Sequence, residues 1–444
     1  MPGSPGGRAG GWGRDAPFRF GVGIEDTFVA TEEPGRRKLD EYELTQHYQF
    51  WERDLALVAA SGADTLRWGI PWYRVEPSPG RFQWDWVDRV VDAIAGHGLT
   101  CVVDLMHYGT PLWLDNSFLH PDYPKRVAEY AAAAASRYGA TLTAWTPLNE
   151  PVINAIYCGE RGAWPPHHRG QTGFVSLITA LAEGICRTQA AIASVQPQAT
   201  FVHVDAGFRW AGDPPRVAGA PDLALLAERR FLGLDLPMGR VDGGHPLHDW
   251  LLLHGATESR LSWLRDHAVE PDVVGVNYYP AFTTVAYDEG PRGELVERPV
   301  EAGAAGLADL VGEYARRYAV PLMITETSRG GPEQERERWL AESLECVAQL
   351  RREGLPLIGY TWFPFLALVD WLYRESSAPL EHWLVQMGLV DLALLPGSSV
   401  LERRPTGLVE QFAAAARAGM PPIAQAAAHT TTPHPRPEEH EETR

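Results

Sequence analysis

The chain has 444 residues, 45% of them hydrophobic and 22% charged, a balance that supports a large core and excludes disorder over most of its length. Its 57 acidic residues against 39 basic ones leave a formal charge of -18. That charge repels phosphate backbones and anionic headgroups, so neither nucleic acid nor a membrane is an expected partner.

Residues 1–16, rich in Gly and Pro, and residues 421–444 (PPIAQAAAHTTTPHPRPEEHEETR) read as disordered tails flanking a single domain over 17–420. The N-terminus lacks the apolar stretch of a secretory signal, and no run of about 18 apolar residues occurs. Cys101, Cys158, Cys186 and Cys346 are far apart and form no C-x-x-C pair, so no zinc site or disulfide framework is expected. A reducing, cytoplasmic compartment fits these features.

In chain order, the first predicted strand is FRFGVG at 18–23, followed by a helix from His47 in which Phe50, Trp51, Leu55, Val58 and Ala59 share one face. TLRW at 65–68 is the second strand. Its helix is DWVDRVVDAIAGHG, with Asp85 as N-cap and Val87, Val90, Val91 and Ile94 inward. CVVDL at 101–105, an Ala-rich helix after Tyr123, and TAWT ending near Asn149 and Glu150 come next. Four more strands follow, at 201–204, 273–277, 322–325 and 357–362, with helical segments such as 174–195 and 333–353 between strands. Eight strands alternating with helices predict an α/β fold of the (β/α)8 TIM barrel type, with extended loops at 206–250, 279–300 and 363–400. A doubly wound open sheet gives a similar pattern, but no Gly-rich phosphate loop follows the first strand.

In a barrel the residues that finish the strands gather at one mouth, where active sites are built. The strand ends here supply Arg67, His107, Asn149, Glu150, Asn277, Tyr278, Glu326 and Trp362. Singly, each has an ordinary structural reading: a solvated loop carboxylate, an ion-pair donor, a core tryptophan. Together they place two carboxylates, Glu150 and Glu326, about half a barrel apart across a cavity, which suits cleavage of a glycosidic bond. A metal-dependent hydrolase needs convergent His ligands, and His167 and His168 sit in a Pro-flanked loop, so no metal and no cofactor are expected.

AWTPLNEP at 144–151 and PLMITETS at 321–328 resemble the acid/base and nucleophile motifs of family 1 of the glycoside hydrolases, the β-glucosidase family. The segments TLRWGIPWYRVEPSPGRFQWDWVD, MHYGTPLWL, VVGVNYYP and GYTWFP are similar to further segments of that family in the same order, so the resemblance covers residues 18–418. It implies a retaining β-glycosidase acting on a small β-glycoside, with Glu150 as general acid/base and Glu326 as nucleophile. It further implies that Arg67 and Tyr278 hold Glu326, Asn149 binds the sugar 2-hydroxyl, His107 another ring hydroxyl, and Trp362 stacks under the sugar.

The sequence departs from the family where the sugar is recognised. Phe28 falls at a sugar-binding Gln, with Glu25 and Asp26 close by, and Val369, Asp370 and Trp371 stand for Phe-Glu-Trp. Pro147, Thr327 and Ser328 replace Thr, Asn and Gly. Glu25, Asp370 and Trp371 are therefore expected to contact substrate, and the added acidity suggests an amino sugar. Two alternatives stay open: a transglycosidase with an acceptor channel from Trp371, Trp383 and the 206–250 loop, and a non-catalytic carbohydrate-binding barrel.

Overall fold

A computed structural model describes residues 11–30, 35–217, 219–395 and 397–424. Eight parallel strands close into a barrel: β1 (Arg19–Ile24), β2 (Thr65–Gly69), β3 (Thr100–Asp104), β4 (Ala144–Thr146), β5 (Thr200–Ala206), β6 (Val273–Asn277), β7 (Leu322–Thr327) and β8 (Leu357–Trp362). Each strand pairs with its sequence neighbours, and β1 closes the ring on β8 through Phe20 opposite Tyr360. The main helices after the strands are α1 (His47–Ala60), α2 (Asp85–Gly96), α3 (Tyr123–Tyr138), α4 (Gly170–Val195), α5 (Glu258–Asp266), α6 (Gly303–Arg317), α7 (Glu333–Arg352) and α8 (Gly407–Ala418). This is the (β/α)8 fold expected from the alternation of strands and helices. Among the described residues no helix is long and apolar enough to cross a membrane.

Strand alternation sorts the side chains into layers. Leu66, Trp68, Trp145, Phe201, Val274 and Ile324 point outward into the core beneath the helices. Val102, Ala144, Val202, Val204 and Met323 fill the lower interior, joined there by Trp12 at 2% exposure. Arg19 lies 4.1 Å over the Trp12 ring. Residues 11–16, assigned from composition to a disordered tail, thus include a barrel plug; low average hydropathy hides one well-placed tryptophan. At the other end Pro421 and Ala424 bond to Arg351, so the first residues of the expected C-terminal tail also pack on the barrel. Residues 1–10 and 425–444 lie outside the described residues.

Two details of the helices differ from expectation. Asp85 is the first helical residue, not the cap, with Trp84 at the N-cap position. Phe50 breaks the regular winding of α1 at φ -113° and is half-buried under Arg403 rather than inward-facing. The four cysteines are unpaired.

The long loops build a wall above the mouth. Thr284–Glu289 and Leu295–Val300 form a hairpin whose first strand pairs with Arg209–Trp210 from the loop after β5. The loop after β8 contributes the single turn Trp371–Glu375.

Candidate active site

The upper interior of the barrel is polar where the lower interior is apolar. On β1, Gly21 and Gly23 leave room: a Cβ on Gly23 would lie 2.7 Å from the Phe363 ring and 2.8 Å from Glu25 Oε1. Arg67 on β2, 1% exposed, is the hub of this layer. Its Nη1 meets Glu326 Oε1 at 2.5 Å and Glu25 Oε1 at 3.0 Å, and its Nη2 meets Asp104 Oδ2 at 2.7 Å and donates to Asn149 Oδ1 at 2.8 Å. Burial opposes the guanidinium charge, but Asp104, Glu25 and Glu326 outweigh it and hold Arg67 charged.

Glu326 owes its inward direction to a β-bulge. Met323 fills the barrel and Thr325 donates to Asn277 Oδ1 at 2.7 Å, so alternation alone would turn residue 326 outward. The register of β7 against β6 shifts between Ile324 and Glu326, which re-aims the carboxylate into the barrel. Thr327 then faces outward and accepts from Trp339 Nε1 at 3.1 Å. The second oxygen of Glu326 accepts from the Tyr279 hydroxyl at 2.6 Å.

Glu150 follows β4 in the left-handed region, φ 46°, at the N-cap of a single turn begun by Pro151. Its amide N–H donates to Val204 O and its carbonyl accepts from Asn154 N, both at 3.1 Å, which holds a conformation a glutamate otherwise avoids. The carboxylate accepts from Asn277 Nδ2 at 2.8 Å and from the Tyr108 hydroxyl. Burial pushes its pKa up to about 7, and the nearby Glu326 adds to the rise against the Tyr108 and Asn277 hydrogen bonds. The segment leaving β4 therefore carries Asn149 and Glu150 at little cost: Asn149 is fully hydrogen-bonded, and Glu150, 5% exposed, faces a cavity.

That cavity measures about 580 Å³ and is lined by Glu150 and Glu326 together. His107, Asp370 and Trp371 also line it. Burial disfavours a charged His107, but Nδ1 lies 3.4 Å from Asp104 and 3.0 Å from Glu25, and the two carboxylates raise its pKa. Asp370 accepts from the Leu372 amide at 2.8 Å.

Other residues singled out in the sequence sit elsewhere. Tyr278 meets Glu326 only through the backbone, its amide N–H donating to the Glu326 carbonyl at 2.9 Å; its hydroxyl donates to Gly303 O at 2.7 Å, outside the barrel, and Tyr279 takes the place expected for it beside the carboxylate. Trp362 is fully buried outside the barrel wall and donates to Met387 O at 3.0 Å, while Phe363 lines the cavity. Both corrections have one cause: inward-facing Asn277 and Thr361 are followed by an outward residue and then an inward one. Glu25 does not reach the cavity, because Arg67 and His107 take both of its oxygens. Asp26 is 2% exposed and pushed up to about 8 by burial, so the acidic pair that suggested an amino sugar lies beneath the site. Phe28 stacks on Tyr73 at 3.6 Å. Trp383, His167 and His168 do not line the cavity.

Glu25, His107 and Glu326 offer ligand atoms within 4.8 Å of one another, a spacing a cation could use. Arg67 Nη1 already bridges Glu25 and Glu326, so the guanidinium supplies the positive charge there.

The sequence and fold have known counterparts. The model of glycosyl hydrolase family 1 matches residues 10–211. Thermostable beta-glucosidase B of Thermobispora bispora is 27% identical over 402 residues, covering 80% of this chain and 79% of that protein. The bifunctional beta-D-glucosidase/beta-D-fucosidase of Bifidobacterium breve is 30% identical over 387 residues, covering 74% of this chain and 81% of that protein. The chain belongs to glycosyl hydrolase family 1. As a family 1 member it is a glycoside hydrolase, and its fold agrees: beta-glucosidase from Thermotoga maritima in complex with deoxynojirimycin superposes with a TM-score of 0.75 at 18% identity, over 90% of this chain and 98% of that one.

Proposed function

We propose that this family 1 enzyme is a retaining β-glycosidase that hydrolyses a small β-glycoside through a covalent glycosyl-enzyme. The observation that carries this reading is the contrast between two carboxylates on one cavity. Glu326 receives a hydrogen bond on each oxygen, from Arg67 at 2.5 Å and from Tyr279 at 2.6 Å, which fixes its carboxylate in the cavity as the nucleophile. Glu150 has its pKa near 7 and is available as the protonated partner.

In the first step Glu326 attacks the anomeric carbon while the bond to the leaving oxygen breaks and Glu150 gives that oxygen its proton. Esterification removes the charge on Glu326, so Glu150 becomes more acidic and remains a carboxylate. It then takes a proton from the water that attacks the same carbon, and Glu326 departs as a carboxylate.

The sugar ring is assigned to the floor formed by Phe363, with His107 and Asp370 beside it. Ile153, Tyr157, Trp164, Phe208 and Phe282 also line the cavity and suit a flat apolar aglycone. The names of the relatives favour a β-linked glucosyl or fucosyl group. The catalytic unit is taken as a single domain over 17–420, extended to Trp12 at one end and Ala424 at the other. The unpaired cysteines favour a cytoplasmic setting.

Reaction with an activated 2-deoxy-2-fluoro glycoside followed by peptide mapping tests the assignment. Label is expected on Glu326; label on any other residue refutes it.

A further inference from the structure

Two hydrogen-bond chains fix which oxygen of Glu150 can carry a proton. Asn277 Oδ1 accepts from Thr325 Oγ1 at 2.7 Å, so the amide cannot turn over, and its Nδ2 points at Glu150 Oε1 at 2.8 Å. An oxygen that receives a fixed N–H is a poor place for a second hydrogen. The acidic proton therefore belongs on Oε2, the oxygen that faces the Tyr108 hydroxyl.

Tyr108 is held for this contact. It adopts φ 74° in the left-handed region, is 5% exposed, and packs against Trp164 at 5.2 Å and Trp371 at 5.6 Å. Asn149 is fixed in turn, because its Oδ1 accepts from Arg67 Nη2 at 2.8 Å; its Nδ2 then faces the Tyr108 oxygen at 3.1 Å. The phenol oxygen keeps one lone pair and a hydrogen that rotates.

We propose that Tyr108 is a positioning residue for Glu150, whose hydroxyl reverses its hydrogen bond as Glu150 alternates between acid and base. Resting on the assignment of Glu150 as acid/base, the cycle balances without any further group. With Glu150 protonated, Oε2–H donates to the Tyr108 oxygen. When that proton leaves with the aglycone oxygen, the Tyr108 hydroxyl rotates and donates to the new carboxylate. When water returns a proton to Oε2, the hydroxyl rotates back. Tyr108 itself stays a phenol throughout, since burial and the adjacent Glu150 and Glu326 hold its pKa well above the usual tyrosine value.

The groups facing Glu150 are Glu326 from β7, Asn277 from β6, Asp205 at the end of β5, His107 and Tyr108 after β3, Tyr279 after β6 and Tyr157 after β4. Of these, Tyr108 and Asn277 are the ones that donate a hydrogen bond to its carboxylate.

The test is the pH profile of kcat/KM for Tyr108→Phe. Losing a donor to the ionised form raises the Glu150 pKa, so the basic limb is expected to move up by about one pH unit, with the acidic limb unmoved. Replacing Tyr108 by 3-fluorotyrosine, a stronger donor of nearly the same shape, is expected to move the basic limb down. A basic limb that stays in place in both variants, or moves in the same direction in both, overturns the proposal, since a purely structural role lowers the rate without an opposed pair of shifts. Should Tyr108→Phe fail to fold, the fluorotyrosine protein alone decides, by a downward shift or its absence. Azide and Glu150→Ala separate the two levels. Failure of azide to restore turnover to Glu150→Ala sinks the acid/base assignment, whereas restored turnover with an unmoved basic limb in the Tyr108 variants sinks only the role given to Tyr108.

Discussion

Replacing Arg67 by Met should destabilise the protein far more than the loss of an exposed ion pair. The side chain is 1% exposed and meets three carboxylates, Glu326 at 2.5 Å, Asp104 at 2.7 Å and Glu25 at 3.0 Å. Methionine fills much of the volume but strands those charges in a dry interior. Breaking one buried pair costs about 3–5 kcal/mol, against at most about 1 kcal/mol for an exposed pair. We therefore expect a loss of about 4 kcal/mol, moderated by protonation of the stranded groups. The sign of the pH dependence follows. In the variant these carboxyls have folded pKa values above their unfolded values near 4, so the folded variant is favoured at low pH and loses ground as pH rises through the raised values. Urea unfolding at about pH 5 and about pH 8 should show the gap to the wild type widening at the higher pH. A gap below about 1 kcal/mol, or one of equal size at both pH values, would refute the idea that Arg67 neutralises this layer.

Other outcomes follow from the same geometry. Activity on an aryl β-glycoside should fall as pH rises through about 7, because Glu150 must be protonated for the first step; Glu326→Gln should move the Glu150 pKa downward in an NMR titration, since the charge that helps raise it is gone. Phe363→Ala should raise KM roughly fivefold or more through loss of a ring face worth about 1 kcal/mol. Trp362→Phe should lower the unfolding midpoint and leave KM nearly unchanged. Trp12→Ala should cost about 3–5 kcal/mol of stability without altering kcat or KM, because it empties the base of the barrel opposite the site.

Much of the barrel could be read from the sequence because its strands are short apolar runs whose ends carry polar residues that no core absorbs unaided. VVGVN and LIGYTW coincide with β6 and β8, and the strand-end rule collects Arg67, His107, Glu150 and Glu326 at one mouth. The errors arise one residue beyond those ends, where facing depends on the last strand residue. Counting inward from Asn277 would have selected Tyr279 over Tyr278, and counting from Thr361 would have selected Phe363 over Trp362. Tyr108 could not be found this way, because its direction comes from a left-handed turn. Trp12 was hidden by its Gly-rich neighbours, and Glu25 by a partner from the next strand.

The bulge in β7 makes the nucleophile's aim a matter of backbone register as much as chemistry. Ironing out that bulge with both residues kept, so that Glu326 simply alternates from inward-facing Thr325, would swing the carboxylate toward Trp339 and the helical shell, with the composition of the pocket otherwise intact. Libraries built to retarget this enzyme should accordingly vary side chains around β7 while leaving Ile324, Thr325 and Asn277, which hold that bulge, unchanged.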